Sequence, residues 1–107
     1  MRDLSSRQLL VLIAASRLGD TAYGVTVQQE VTACCGRAVS IPAVYAALDW
    51  LERLGLVRRR LSEARPERGG RARRYYTVTA AGWRRLESER VSALRMWAGV
   101  LQRGVHR

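Results

Sequence analysis

Glu67-Arg-Gly-Gly-Arg-Ala-Arg-Arg-Tyr-Tyr-Thr-Val-Thr-Ala-Ala-Gly82 is the stretch on which the fold turns. Pro66 and the Gly69-Gly70 pair are turn residues, one fixing φ and the others freeing it. Arg73 to Val78 is rich in β-branched and aromatic residues and reads as a strand. Thr79 then caps a helix that opens with Ala80-Ala81-Gly82. Upstream, Val57 to Ser62 supplies a partner strand, which leaves Arg65 to Ala72 as the loop of a hairpin. Alternation sets Arg73, Tyr75 and Thr77 on one face and Arg74, Tyr76 and Val78 on the other. Tyr76 beside Val78 turns that second face toward a core.

Working back from the hairpin, Ser40 is a hydroxyl N-cap, and Pro42 sits in a first turn where a missing amide costs nothing. Val44, Ala47, Leu48, Leu51 and Leu54 form the buried face of the helix that follows, and Gly55 stops it. Pro42, Ala43, Tyr45, Ala46 and Asp49 are left pointing outward. A second helix spans Tyr23 to Cys35, with Val27 and Val31 inward and Gly36 as its left-handed stop. The first runs from Ser5 to Leu18, with Leu9, Leu12, Ile13 and Ser16 on one face and Leu10 and Val11 widening the stripe.

After the hairpin a single helix is expected from Ala80 to Val105. Its drifting apolar stripe holds Trp83, Leu86, Val91, Leu94, Trp97, Leu101 and Val105. At 1.5 Å per residue it is roughly 35–40 Å long, more than a small domain can cover. Burial against a second copy resolves this, with Leu9, Leu86, Leu94, Trp97 and Leu101 as the dimerisation residues. The expected fold is mainly α with a small β-hairpin, in the order α-α-α-β-β-α: a winged helix-turn-helix. Residues 1–78 form the DNA-binding domain, and 79–107 form a long C-terminal dimerisation helix in the same compact unit.

Composition bounds the partners. The chain has 107 residues, 48% of them hydrophobic, and a net charge of +10. All 19 basic residues are arginine; lysine, asparagine and phenylalanine are missing, as a GC-rich genome would impose. Nine arginines against Glu63 and Glu67 between Arg53 and Arg74 hold +7 of the total. So local a charge is the footprint expected for a polyanion partner; the competing reading is a solvated loop that aids solubility. Arg2, Arg7 and the run Leu9 to Ala15 imitate a secretory signal, but seven apolar residues fall short of the roughly 20 that span a membrane. A cytoplasmic protein is expected, with no membrane partner.

No constellation for catalysis is present. Carboxylates are unpaired, the single histidine, His106, lies near the chain end, and Gly69-Gly70 stands between strands rather than before a helix. No enzyme activity, cofactor or metal site is expected. Cys34-Cys35 could bind a soft metal or switch on oxidation, but lacks further ligands and reads as two thiols packed at a helix end.

A short helix with small outward residues settles into a major groove while an arginine-tipped hairpin reaches phosphates or a minor groove. Pro42, Ala43 and Tyr45 on the helix, with Arg68 and Arg71 on the hairpin, are the expected DNA contacts. The Tyr45 hydroxyl suits a phosphate; alternatively Tyr45 is a half-buried core aromatic. Asp49 would repel phosphate, so it sits away from the backbone or pairs with Arg53. A rival function is a basic module docking RNA or an acidic protein, against which stands the shortage of exposed stacking aromatics.

Tyr23-Gly24, then Ser40-Ile-Pro-Ala-Val-Tyr-Ala-Ala-Leu-Asp-Trp-Leu-Glu-Arg-Leu-Gly-Leu-Val57, then Arg68 to Gly82 together resemble the PadR family of bacterial transcriptional regulators. Pro42 stands where glycine is usual and Ala46 where proline often follows the tyrosine. The resemblance implies a homodimeric winged helix-turn-helix repressor of its own or a neighbouring operon, reading an inverted repeat in double-stranded DNA. It puts Ser40, Ala43 and Tyr45 on the recognition helix and Arg71 and Arg73 on the wing, matches Tyr76 to the second wing tyrosine, and matches Thr79 with Gly82 to the cap of the last helix. It also implies a small aromatic effector between the subunits, for which Met96 and Trp97 are the candidate residues; the other reading of Trp97 is a dry dimer seam.

Overall fold

Hydroxyl side chains start three of the helices. In the computed structural model, which describes residues 2–62 and 73–105, α1 is Ser6–Leu18, α2 Gly24–Cys35 and α3 Ile41–Arg53. Strands β1 (Val57–Leu61) and β2 (Arg74–Val78) follow, then α4 (Ala80–Trp97) and α5 (Val100–Val105). Ser5 Oγ accepts from the Gln8 amide at 3.1 Å while Gln8 Oε1 accepts from the Ser5 amide at 2.8 Å, a reciprocal box that holds the start of α1. Ser40 Oγ accepts from the Ala43 amide at 3.2 Å. Thr79 Oγ1 accepts from the Gly82 amide at 3.1 Å and donates to the Gly55 carbonyl at 2.6 Å, which ties α4 to the turn after α3.

The core lies where the first three helices meet the hairpin. Val11, Leu12 and Ala15 of α1, Val27 and Val31 of α2, and Val44, Leu48 and Leu51 of α3 are buried together with Leu56, Val57 and Tyr76. β1 and β2 pair antiparallel, with Val57 opposite Val78, Arg59 opposite Tyr76 and Leu61 opposite Arg74. The approach of α4 is close at Gly82, where a Cβ would press into the Leu56 carbonyl oxygen.

Three sequence expectations change. First, the inward face of α1 is Val11, Leu12, Ala14 and Ala15, whereas Ile13 is exposed and Leu9 half-buried. The run Leu9 to Ala15 is apolar on every side, so periodicity alone did not pick the face; small Ala14 and Ala15 admit the neighbouring helices. Second, Tyr23 does not open α2. It is extended and bridges Tyr75, and the Tyr76 amide donates to the Ala22 carbonyl at 2.9 Å, adding a one-residue third lane to the sheet. Third, the last helix is broken. α4 ends at Trp97, Ala98 is extended, and Gly99 at φ 77° takes a left-handed conformation that a residue without Cβ adopts freely.

Gly82, Ala81 and Leu86 pack the first turns of α4 on the core, while every residue from Ser92 to Val105 is exposed. The projecting helix stretches the molecule to 61 Å along one axis against 28 and 19 Å across.

Tyr76 is fully buried, and among the described residues its hydroxyl finds no hydrogen-bond partner. Burial holds that hydroxyl above the usual tyrosine range. As pH rises through about 10, the unfolded chain therefore ionises Tyr76 before the folded one does, and stability falls. Tyr76→Phe is expected to keep or raise the unfolding free energy at pH 7 and to flatten its alkaline decline. Urea unfolding at pH 7 and above pH 10 measures both, and a loss beyond about 1 kcal/mol at pH 7 contradicts an unpartnered hydroxyl.

Candidate nucleic-acid interface

Successive residues of a helix turn by about 100°, so the buried Val44, Leu48 and Leu51 of α3 leave Pro42, Ala46, Asp49 and Arg53 along the opposite line. Pro42, Ala46 and Arg53 are exposed and Asp49 half-buried. No ion pair joins Asp49 to Arg53 among the described residues. This ridge is short-chained where it leaves the preceding turn, which leaves room for the edge of a base pair close to the backbone of α3.

Ala43 and Tyr45 do not lie on that line; they flank it. Ala43 is half-buried and faces a cleft of about 510 Å³ against the start of α1 and the end of α2, shared with Ser5, Arg7, Cys35 and Arg37. Tyr45 turns the other way, half-buried, with its ring filling the space where Gly24 lacks a Cβ. Only glycine leaves room for that ring. Arg74 then lies 5.5 Å from the Tyr45 ring centroid, in the corner between α3 and the hairpin.

Arg73 lies 4.3 Å over the ring of Tyr23, and Tyr23 meets Tyr75 edge-on with ring centroids 5.5 Å apart. A guanidinium lying on an aromatic face is held by the ring's electron density, while its N–H donors stay at the perimeter, free to fork onto a phosphate. Arg73 and Arg74 are thus braced on opposite sides of the start of α2. Arg59 differs: it is paired with Glu52 of α3 at 3.6 Å, across the junction of hairpin and helix. Ser40 is exposed, its hydroxyl occupied as acceptor by the Ala43 amide. Arg68 and Arg71 lie outside the described residues.

Sequence reading passed over Arg74 as a site residue, because strand alternation puts it on the face of Tyr76. The hairpin runs past the helices at that point, so the same face is core at Tyr76 and open at Arg74. It likewise left out Tyr23, whose support for Arg73 needs a bridge between residues far apart in the chain. Of the residues assigned to dimerisation, Leu86 packs on its own core and Leu9 is half-buried. Leu94, Trp97 and Leu101 are 58%, 60% and 73% exposed, and Met96 is 80% exposed. Among the described residues no cluster of His, Cys, Asp and Glu is grouped as a metal needs, and no helix is long and apolar enough to cross a membrane.

Known proteins of this architecture are similar over nearly the whole chain. A PadR-like transcription factor from Bacteroides fragilis superposes with a TM-score of 0.74 at 19% identity, covering 89% of this chain and 86% of its own. A PadR family regulator from Clostridium difficile R20291 gives 0.72 at 19% identity, with 94% and 99% covered. One from Eggerthella lenta DSM 2243 gives 0.71 at 26% identity, with 90% and 81% covered. No curated relative matches the chain. The family model described as "Transcriptional regulator PadR-like family" matches residues 11–88, most of the chain and all of the helix–hairpin unit that carries the basic face. With that match the chain belongs to the PadR-like family of transcriptional regulators.

Proposed function

We propose that this protein is a homodimeric, DNA-binding repressor in the cytoplasm that occludes the promoter of its own or a neighbouring operon. The observation that carries the reading is the bracing of Arg73 on Tyr23 and of Arg74 on Tyr45, beside the short-chained ridge Pro42–Ala46. Fixed cations at both ends of the start of α2 suit two phosphates of one strand, while α3 lies in the major groove between them. Residues 1–78 form the reading unit, and residues 79–107, which include α4 and α5, serve dimerisation. Ser40 and Pro42 stand at the groove-facing start of α3, Ala43 flanks that face, and Tyr45 positions Arg74. Arg68 and Arg71, at the hairpin loop, are proposed to touch phosphate or the minor groove.

The dimer is argued from Leu94 and Trp97 of α4 and Leu101 of α5, exposed apolar side chains on the arm that leaves the core. Two such arms crossing about a two-fold axis would cover one another and present an inverted pair of α3 helices. A flat aromatic effector would enter that seam and stack on Trp97 beside Met96, acting only in so far as it binds one spacing of the pair better than another.

Footprinting of the DNA upstream of the protein's own gene tests the central reading. Arg74→Ala is expected to weaken binding to every sequence alike and to lower the log–log salt slope by roughly 1 per protomer. Ala46→Gln is expected instead to change which sequence is preferred, by about 1–3 kcal/mol at the affected base pair. Fluorescence anisotropy across salt reads both, and an unchanged slope for Arg74→Ala contradicts the phosphate role.

Trp97→Glu with Leu101→Glu is expected to yield a folded monomer whose operator affinity falls at least tenfold, measured by sedimentation and anisotropy. In the unaltered dimer, planar phenolic compounds should quench tryptophan emission, and Trp97→Ala should abolish the response. A dimer that survives the double substitution, or emission unmoved at saturating ligand, contradicts the respective assignment.

A further inference from the structure

The outer face of the hairpin carries a second row of arginines that α3 does not use. On the face turned away from Tyr76, Arg58 stands opposite Thr77 and Arg60 opposite Tyr75. The guanidinium of Arg60 lies 4.8 Å from the Tyr75 ring centroid, and its Nη2 donates to the Asp20 backbone carbonyl at 3.4 Å. Tyr75 meets Tyr23, and Tyr23 carries Arg73, so the four side chains form one continuous stack, Arg60–Tyr75–Tyr23–Arg73. Arg58 and Arg60 are exposed, and among the described residues neither joins a carboxylate, whereas Arg59 on the opposite face is paired with Glu52.

Two features of this face bear on its partner. Aromatic rings hold two of its three guanidinium groups in place, so little side-chain freedom is lost when they meet a phosphate. The row also begins at Arg73, which already stands at the edge of the interface with α3, so a polyanion seated there need only continue. A protein partner would want an apolar anchor at the centre of the patch, and here the half-buried rings of Tyr23 and Tyr75 are themselves covered by arginine.

We propose that Arg58, Arg60 and Arg73 form a second phosphate-binding row that engages the duplex flanking the half-site read by α3, so that the occupied DNA extends past the hairpin on each side. The proposal rests on the DNA-binding reading above and adds a flank to it.

The test uses the full chain, an operator recovered by selection from a random duplex library, and the same operator lengthened by about one helical turn (~10 base pairs) of unrelated sequence at each end. The unaltered protein is expected to bind the longer duplex about tenfold more tightly at low salt, with a salt slope steeper by roughly 2 per protomer. Arg58→Ser with Arg60→Ser should bring the longer duplex down to the shorter in affinity and slope. Arg60 touches Tyr75 and Asp20, so Arg58→Glu, which alters a side chain with no described partner, provides the second variant. It should lower affinity for the longer duplex alone, with unfolding temperature unchanged. Equal affinity and slope of the unaltered protein on both duplexes overturns the row while leaving the operator reading intact. Equal losses on both duplexes in Arg58→Glu overturn it too, by assigning Arg58 to the half-site itself. Binding to neither duplex above random DNA removes both readings together.

Discussion

The hairpin is fastened to the helices at one short seam, and the basic surface depends on it. The Ala22 carbonyl accepts from the Tyr76 amide, Tyr23 bridges Tyr75, and the Tyr76 side chain is sunk among the core residues of the helices. An isolated two-stranded hairpin is marginal in water. This one has a third lane on one side and a buried aromatic beneath, so its strands are set at a fixed height above α2. Arg73 and Arg74 inherit that height. Without the seam they would be two long cations on a loose ribbon.

A chain of charge +10 cannot place every arginine at liberty. The structure sorts them by neighbour. Arg17, Arg59, Arg85 and Arg90 are answered by Glu30, Glu52, Glu89 and Glu87; the first pair joins α1 to α2, the second joins β1 to α3, and the other two lie within α4. Arg85 is the most buried of them and also donates to the Arg2 carbonyl at 2.9 Å, drawing the N-terminal segment onto α4. Arg60, Arg73 and Arg74 are supported by rings instead. A carboxylate neutralises a guanidinium; an aromatic face steadies it and leaves the charge in the solvent. The difference separates arginines whose charge is answered by a carboxylate among the described residues from arginines that are steadied with their charge intact.

What could be read from the sequence was local. Ser40 and Thr79 act over three residues, and their caps lie where the pattern put them. The placement of Tyr76 against the core followed from alternation and a neighbouring valine. The unread parts all join residues distant in the chain. Gly24 admits the ring of Tyr45, Tyr23 supports Arg73, and Ala43 is turned aside by the starting end of α1; nothing in spacing or propensity encodes such meetings. The break at Gly99 is a different kind of omission. Its signal was a glycine in plain view, outweighed by an apolar stripe that continued past it.

The meeting of Gly24 with Tyr45 has a mechanical consequence. α2 is pinned to α3 by that ring and to the sheet by Tyr23, one residue earlier, so helix and hairpin share a single stiff corner. Such a corner works like a welded bracket, in which neither arm can tilt without the other. A force applied to α3 is therefore carried through that corner to the hairpin, and the two move as one piece.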